Sequence, residues 1–225
     1  MYKIYDNWPN LAKQAYNSNL EPVNFENIKH IVFAGMGGSG SIGLIFASLL
    51  SKTNIHVSIV NGYNLPKTVD ENTLVVCTSV SGNTEETISI LNSTNNIRCK
   101  KIVFSSGGKM EEYCLKYCVD FRKINQIHSP RTSFVTYLFS MIKILNPILK
   151  INDSDINNTI QEMEKIKNKI SSKNLVEGNP AIRLAERIKV IPIIYYPFGL
   201  NAVATRFKNS LQENAKIHVI IEDII

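Results

Sequence analysis

With 225 residues, 44% of them apolar and 20% charged, the chain has the composition of a soluble globular protein of one large or two modest domains. No apolar run approaches the roughly 18 residues of a membrane span, and Met1-Tyr2-Lys3-Ile4-Tyr5-Asp6 lacks the hydrophobic core of a signal peptide, so no membrane contact and a cytoplasmic location are expected. The net charge of +6 is dispersed, its longest basic run being Lys100-Lys101; this argues against nucleic acid and leaves small anionic substrates favoured.

Residues 1–27 read as a helical lead-in that ends in a Pro- and Asn-containing loop. A strand–helix rhythm follows: a strand at Ile31–Ala34, a helix at Gly40–Ser51, a strand at His56–Val60, and the apolar strand beginning Leu74-Val75-Val76-Cys77. A helix is predicted over Thr84–Ser93, a strand over Lys101–Phe104, a helix over Lys109–Lys116, a short strand over Val119–Phe121, and an apolar helix over Ser133–Leu145 that stops before Pro147. Short apolar strands alternating with helices predict an α/β fold, a parallel sheet covered on both faces. Residues 151–179 are polar and helix-prone, a connector. After Pro180 come a strand at Val190–Tyr196, a helix at Asn201–Asn214 and a strand at Ile217–Ile221. Two strands do not close a sheet, so this second unit is expected to be incomplete. The predicted organisation is a lead-in (1–27), a first domain (28–150), a connector (151–179) and a partial second domain (180–225).

The four cysteines give no zinc set: Cys114 and Cys118 are one helical turn apart with no further ligands, and free thiols are expected, with no metal.

The chemistry gathers at two junctions where a strand turns into a helix. In Ser79-Val80-Ser81-Gly82-Asn83-Thr84, three hydroxyls and a glycine stand where unpaired N–H groups and the positive end of a helix dipole meet an open space. Helix capping needs one such residue; this density points to an anion site. Gly35-Met36-Gly37-Gly38-Ser39-Gly40 matches the dinucleotide pattern G-x-G-x-x-G, yet the second strand ends in Asn61-Gly62-Tyr63 rather than in the acidic residue that would hold a ribose. A smaller phosphorylated ligand suits the pair better: backbone N–H groups near Gly37 and Gly38, with Ser39, on one side, and Ser79, Ser81 and Thr84 on the other.

These two loops resemble those of the sugar isomerase (SIS) domain family, whose fold is a flavodoxin-like parallel sheet between helices and which binds phosphosugars. Ser129-Pro130-Arg131, Ala204-x-Arg206-x-Lys208 and Gln212-Glu213-Asn214-Ala215-Lys216 narrow the resemblance to the two-SIS-domain phosphoglucose/phosphomannose isomerases. The resemblance implies aldose–ketose interconversion of glucose 6-phosphate or mannose 6-phosphate with fructose 6-phosphate through a cis-enediol, within glycolysis and gluconeogenesis. By the same resemblance Glu213 is the base, Arg131 stabilises the enediolate, no cofactor is needed, and the protein is a homodimer. Val203, Phe207, Leu211 and Ala215 recur every four residues and predict a core stripe, with Glu213 on another face beside Arg206 and Asn209. The family's ring-opening His and Lys lie beyond the matching end of this chain, so C-terminal incompleteness is expected. His218 stands too close to Glu213 to match that His, and His30, His56 and His128 match no motif. The alternatives are a phosphosugar-binding SIS protein without catalysis and a dinucleotide enzyme.

Overall fold

The β-branched and apolar runs pair as five parallel strands in the computed structural model, which describes residues 1–224. Two helices come first, α1 (Tyr2–Asp6) and α2 (Trp8–Tyr16). The sheet then forms from β1 (His30–Ala34), β2 (His56–Val60), β3 (Thr73–Ser79), β4 (Lys100–Ser105) and β5 (Asp120–Lys123), interleaved with α3 (Gly37–Leu50), α4 (Glu85–Ser93) and α5 (Lys109–Tyr117). The strand order β2-β1-β3-β4-β5 is the flavodoxin-like order, with its switch point between β1 and β3.

Strand periodicity sorts the core into two layers. Ile31, Phe33, Leu74, Val76, Ile102 and Phe104 face one way and pack with Phe46 of α3. Val32, Ala34, Val75, Cys77 and Val103 face the other way and pack with Ile90 and Leu91 of α4 and Met110 of α5. Both faces are therefore covered, as near-continuous apolar strands require. Cys77 is fully buried, and burial raises its thiol pKa well above the usual range, so it is inert as a nucleophile.

The helix α6 (Phe134–Leu149) corrects the predicted stop before Pro147, which lies inside its last turn. So near the end the ring removes one donor only, and the exiting chain is held by other bonds. Lys150, at φ 56°, donates its N–H to the Asn146 carbonyl at 2.8 Å, and Asn146 exchanges two side-chain bonds with the Ile151 backbone at 3.0 and 3.2 Å. The connector holds α7 (Asp153–Ile170). Helix α8 (Pro180–Arg187) was not predicted as an element, although its start was legible: Asn179 Oδ1 accepts from the N–H of Ala181 at 2.8 Å, with Pro180 in the first turn.

A second, two-stranded parallel sheet contains β6 (Ile193–Tyr196) and β7 (Ile220–Asp223), joined by α9 (Asn201–Asn214). Both strands begin three residues later than the sequence suggests. Pro192 has no N–H to offer the ladder, and its carbonyl accepts from Ile220 instead, at 3.1 Å. His218 consequently lies before β7 rather than on it. The predicted stripe on α9 is also corrected: Val203 and Phe207 stay 61% and 39% exposed. The face turned to the first sheet's helices is instead that of Ala202, Arg206, Asn209 and Glu213, within about 60° of one another at ~100° per residue. Polar partners on that side, described below, take the place of an apolar seam.

His30 opens β1 in a buried position, Nε2 2.9 Å from Ser58 Oγ and Nδ1 3.4 Å from Thr73 Oγ1, with the His56 ring 4.9 Å away. Burial, then the neighbouring His56, hold its pKa below the ordinary histidine value; Asp70 opposes them. Below about pH 6.5 the unfolded chain therefore binds more protons at this site than the folded protein, and stability falls as pH drops. The denaturant midpoint is expected to fall from pH 7.5 to pH 5 by less in His30→Asn than in the unmodified protein. An equal fall in both would remove His30 as the source.

Candidate functional site

The carboxyl ends of β1 and β3 open on a cavity of ≈ 370 Å³, within the range of about 300–1,000 Å³ usual for small-molecule sites. One wall comes from the β1–α3 turn, Met36, Gly37, Gly38 and Ser39. The N-cap residue of α3, Met36, has no side chain able to cap, and the first N–H groups of the helix have no intrahelical acceptor. Gly40 is needed one residue deeper: a Cβ there would lie 2.5 Å from Asn61 Oδ1 and 2.9 Å from the Gly35 carbonyl. The glycine pattern thus serves close packing of α3 on the sheet. Asn61 fills the place where a dinucleotide site would have its acid.

The opposite wall is Ser79, Val80, Ser81 and Thr84. Thr84 is the N-cap residue of α4, but its hydroxyl makes no capping bond. It lies 2.7 Å from Ser79 Oγ, which also accepts the Gly82 N–H at 3.1 Å. Ser81 Oγ accepts from the Asn83 N–H at 3.3 Å. The hydroxyls are therefore tied to one another and to the turn, leaving the first N–H groups of α4 without side-chain caps. Glu85 and Glu86 in that first turn are not among the residues lining the cavity. Glu86 is instead the main cause that raises the pKa of the exposed Tyr63.

The roof is built from distant sequence. Ser129, Pro130 and Arg131 line the cavity from the turn before α6, and Glu213 from the end of α9. That turn is stiff: Ser133 Oγ accepts the Ile127 N–H at 2.7 Å, Thr132 Oγ1 accepts the Ser129 N–H at 3.1 Å, and His128 sits at φ 59°. Arg131 Nε lies 3.3 Å from Glu213 Oε2, while Nη1 donates to the Glu213 carbonyl at 3.2 Å and to Asn214 Oδ1 at 3.3 Å. Both side chains are about one-third exposed, at 32% and 34%, so they remain reachable from the cavity.

The residues expected to bind phosphate or carry the chemistry, Gly37, Gly38, Ser39, Ser79, Ser81, Thr84, Arg131 and Glu213, all line this one cavity; Arg206, Lys208, Asn214, Lys216 and His218 do not. Sequence reasoning gave no role to Phe134 and Ile42, which also line it. Their apolar character marks them as core, and only the tertiary arrangement puts them at the cavity edge. Among the described residues no group of three or more His, Cys, Asp or Glu side chains is arranged to hold a metal ion.

A flavodoxin-like sheet with two uncapped helix N-termini at its switch point defines a fold class for anionic ligands. Residues 24–109 match the family model described as SIS domain. A second model, bacterial phospho-glucose isomerase C-terminal SIS domain, matches residues 177–225. The chain is 32% identical to the bifunctional phosphoglucose/phosphomannose isomerase of Caldicellulosiruptor bescii, over 96% of this chain and 66% of that protein. To the protein of the same name from Thermoplasma acidophilum it is 35% identical, over 84% of this chain and 56% of that protein. The chain thus spans less than two thirds of the length of these relatives. In fold it is similar to the C-terminal domain of glucosamine-fructose-6-phosphate aminotransferase from Francisella tularensis, with a TM-score of 0.71 at 17% identity, over 98% of this chain and 69% of that one.

Proposed function

We propose that the protein is an aldose–ketose isomerase that interconverts glucose 6-phosphate, and mannose 6-phosphate, with fructose 6-phosphate. The observation that carries this reading is the convergence of Arg131 and Glu213, 82 residues apart, on the cavity that also holds the hydroxyl loop. The phosphate sits between the α3 and α4 N-termini, held by the N–H groups of Gly37 and Gly38 and the hydroxyls of Ser39, Ser79, Ser81 and Thr84. That anchor directs the sugar's C1–C2 end toward the roof.

There the Glu213 carboxylate takes the proton from C2 of the open-chain aldose. The C–H electron pair becomes the C1–C2 double bond, and the carbonyl π pair moves onto the C1 oxygen. The Arg131 guanidinium stabilises the charge gathering on the enediolate oxygens. Transfer of the C2 hydroxyl proton to the C1 oxygen, with return of the proton from Glu213 to C1, gives the ketose. The two aldose epimers differ at C2 and share this cis-enediol, so one base serves both. The side chains carry the proton transfer, and the reading requires no cofactor. It places the protein in glycolysis and gluconeogenesis, in the cytoplasm, as a homodimer, with residues 28–150 as a first SIS domain and 180–225 as part of a second.

The test is a coupled assay for fructose 6-phosphate with each aldose phosphate, alongside titration with the same sugar phosphates. Turnover of either aldose supports the reading. Saturable binding with no turnover, and no solvent deuterium entering C1 or C2, assigns the protein to non-catalytic phosphosugar binding instead.

A further inference from the structure

Arg206 lies on α9 seven residues before Glu213, two helical turns away and on the same face. Its guanidinium carbon stands 4.3 Å from the centroid of Phe134 and 5.9 Å from that of Trp8, two rings stacked at 6.1 Å. Nη2 donates to the Arg131 carbonyl at 3.3 Å, whereas Nε and Nη1 are buried without a hydrogen-bond partner among the described residues, as is the Tyr5 hydroxyl. Burial lowers its pKa; Tyr5 and Glu213 oppose this, and Arg131 adds to it.

An arginine in that position is an expensive way to fill space. A buried guanidinium with two unpaired nitrogens costs more than an apolar side chain of similar volume packed against two aromatic rings. What the apolar side chain could not provide is the bond to the Arg131 carbonyl. The turn that carries Arg131 has a second tie nearby, Trp8 Nε1 to the Thr132 carbonyl at 3.2 Å, and α9 has one to α3, Asn209 Nδ2 to Ser41 Oγ at 3.0 Å. Arg131 reaches the end of α9 with its own side chain, at the Glu213 carbonyl and Asn214 Oδ1, and Arg206 adds a bond from an α9 side chain back to the Arg131 backbone.

We propose that Arg206 is a positioning residue: it clamps α9 to the Arg131 turn and so fixes the Arg131–Glu213 pair above the phosphate cradle. It acts through Arg131 and Glu213 and does not touch the ligand. The inference rests on the isomerase reading above, because it assigns the pair to the reacting end of the sugar.

The test compares two probes in the unmodified protein, Arg206→Lys and Arg206→Met. Inorganic phosphate reports the cradle alone. The five-carbon aldonate 5-phosphoarabinonate carries a carboxylate where the enediolate forms and so reports the Arg131 end as well. Lysine keeps the charge but loses the planar fork, and methionine keeps only the bulk. Both variants are expected to lose about 10- to 100-fold in aldonate affinity, the scale of one charge-assisted hydrogen bond, with phosphate affinity unchanged. The thermal midpoint of Arg206→Met should equal or exceed that of the unmodified protein.

Equal losses for both probes, no loss for either, or failure of both variants to fold would make Arg206 a structural residue and overturn the inference. Unmodified protein that binds the aldonate no more tightly than phosphate would overturn the isomerase reading, and this inference with it. Unmodified protein that prefers the aldonate, with variants that keep that preference, leaves the isomerase reading standing and removes Arg206 alone.

Discussion

Glu213→Gln is expected to lower turnover of glucose 6-phosphate by about 10²- to 10⁴-fold, the usual contribution of a positioned general base. The amide keeps the size of the side chain and an oxygen that can face Arg131, but it cannot take a proton from carbon. Affinity for inorganic phosphate should stay within about twofold, since the Ser79 and Thr84 hydroxyls and the helix N-termini lie on other elements. Stability should change little. The Arg131–Glu213 ion pair is one-third exposed on both sides, and such pairs contribute about 0–1 kcal/mol. The informative measurement is therefore kcat together with a phosphate titration and a denaturation curve on the same preparation. Turnover that survives in the Gln variant would remove Glu213 from the chemistry. Turnover lost together with phosphate binding would mean that the substitution had disturbed the site rather than its base.

The parallel sheet and its helices were legible in the sequence because each strand is a short apolar run between polar turns, and because Gly, Ser and Asn mark most junctions. Where the reading failed, a tertiary or capping interaction had overruled a local rule. Pro147 predicts a stop, but Asn146 and the left-handed Lys150 close the helix two residues beyond it. The stripe of Val203 and Phe207 had the right period for a core face, yet α9 docks through Arg206 and Asn209, whose partners Arg131, Ser41 and Phe134 come from other elements. The hydroxyl loop could be found from composition alone, since an anion site requires donors at a helix start. Glu213 and Arg131 could not: a lone Glu on a polar helix and an Arg after a Pro have ordinary surface explanations. Only the resemblance singled them out, and the fold then placed them 3.3 Å apart. Arg206 shows the limit most clearly, because its burial against Trp8 and Phe134 depends on three segments that no local pattern relates.

Gly82→Ala is expected to cost about 2–5 kcal/mol of stability, the sum of a left-handed non-glycine residue and an overpacked contact. Gly82 is buried at φ 68°, and a Cβ built there lies 1.7 Å from the Gly107 carbonyl oxygen and 2.6 Å from Ser105 Oγ. The obstacle is backbone, which no side-chain rotation can relieve. It is also fixed from several sides: Ser105 Oγ donates to the Gly107 carbonyl at 2.9 Å, and the Gly82 carbonyl accepts from the Met110 N–H at 3.0 Å. Making room therefore requires either the β4–α5 loop or the Ser79–Thr84 turn to move. The two segments are bonded to each other, Ser106 giving its N–H and its hydroxyl to the Val80 carbonyl at 3.1 and 2.6 Å, so displacing the loop displaces the turn, and the same substitution should weaken inorganic phosphate binding by at least about tenfold, the loss of one charge-assisted hydrogen bond to the phosphate. Gly62→Ala is the matched control, with nothing within 4 Å of its Cβ and an expected change within about 0.5 kcal/mol. Chemical denaturation and phosphate titration of the two variants separate the effects. A Gly82→Ala protein as stable as Gly62→Ala would mean that the two loops are not packed against each other as described. A destabilised variant with full phosphate affinity would detach the turn's geometry from anion binding and leave the N–H groups of Gly37 and Gly38 to hold the phosphate.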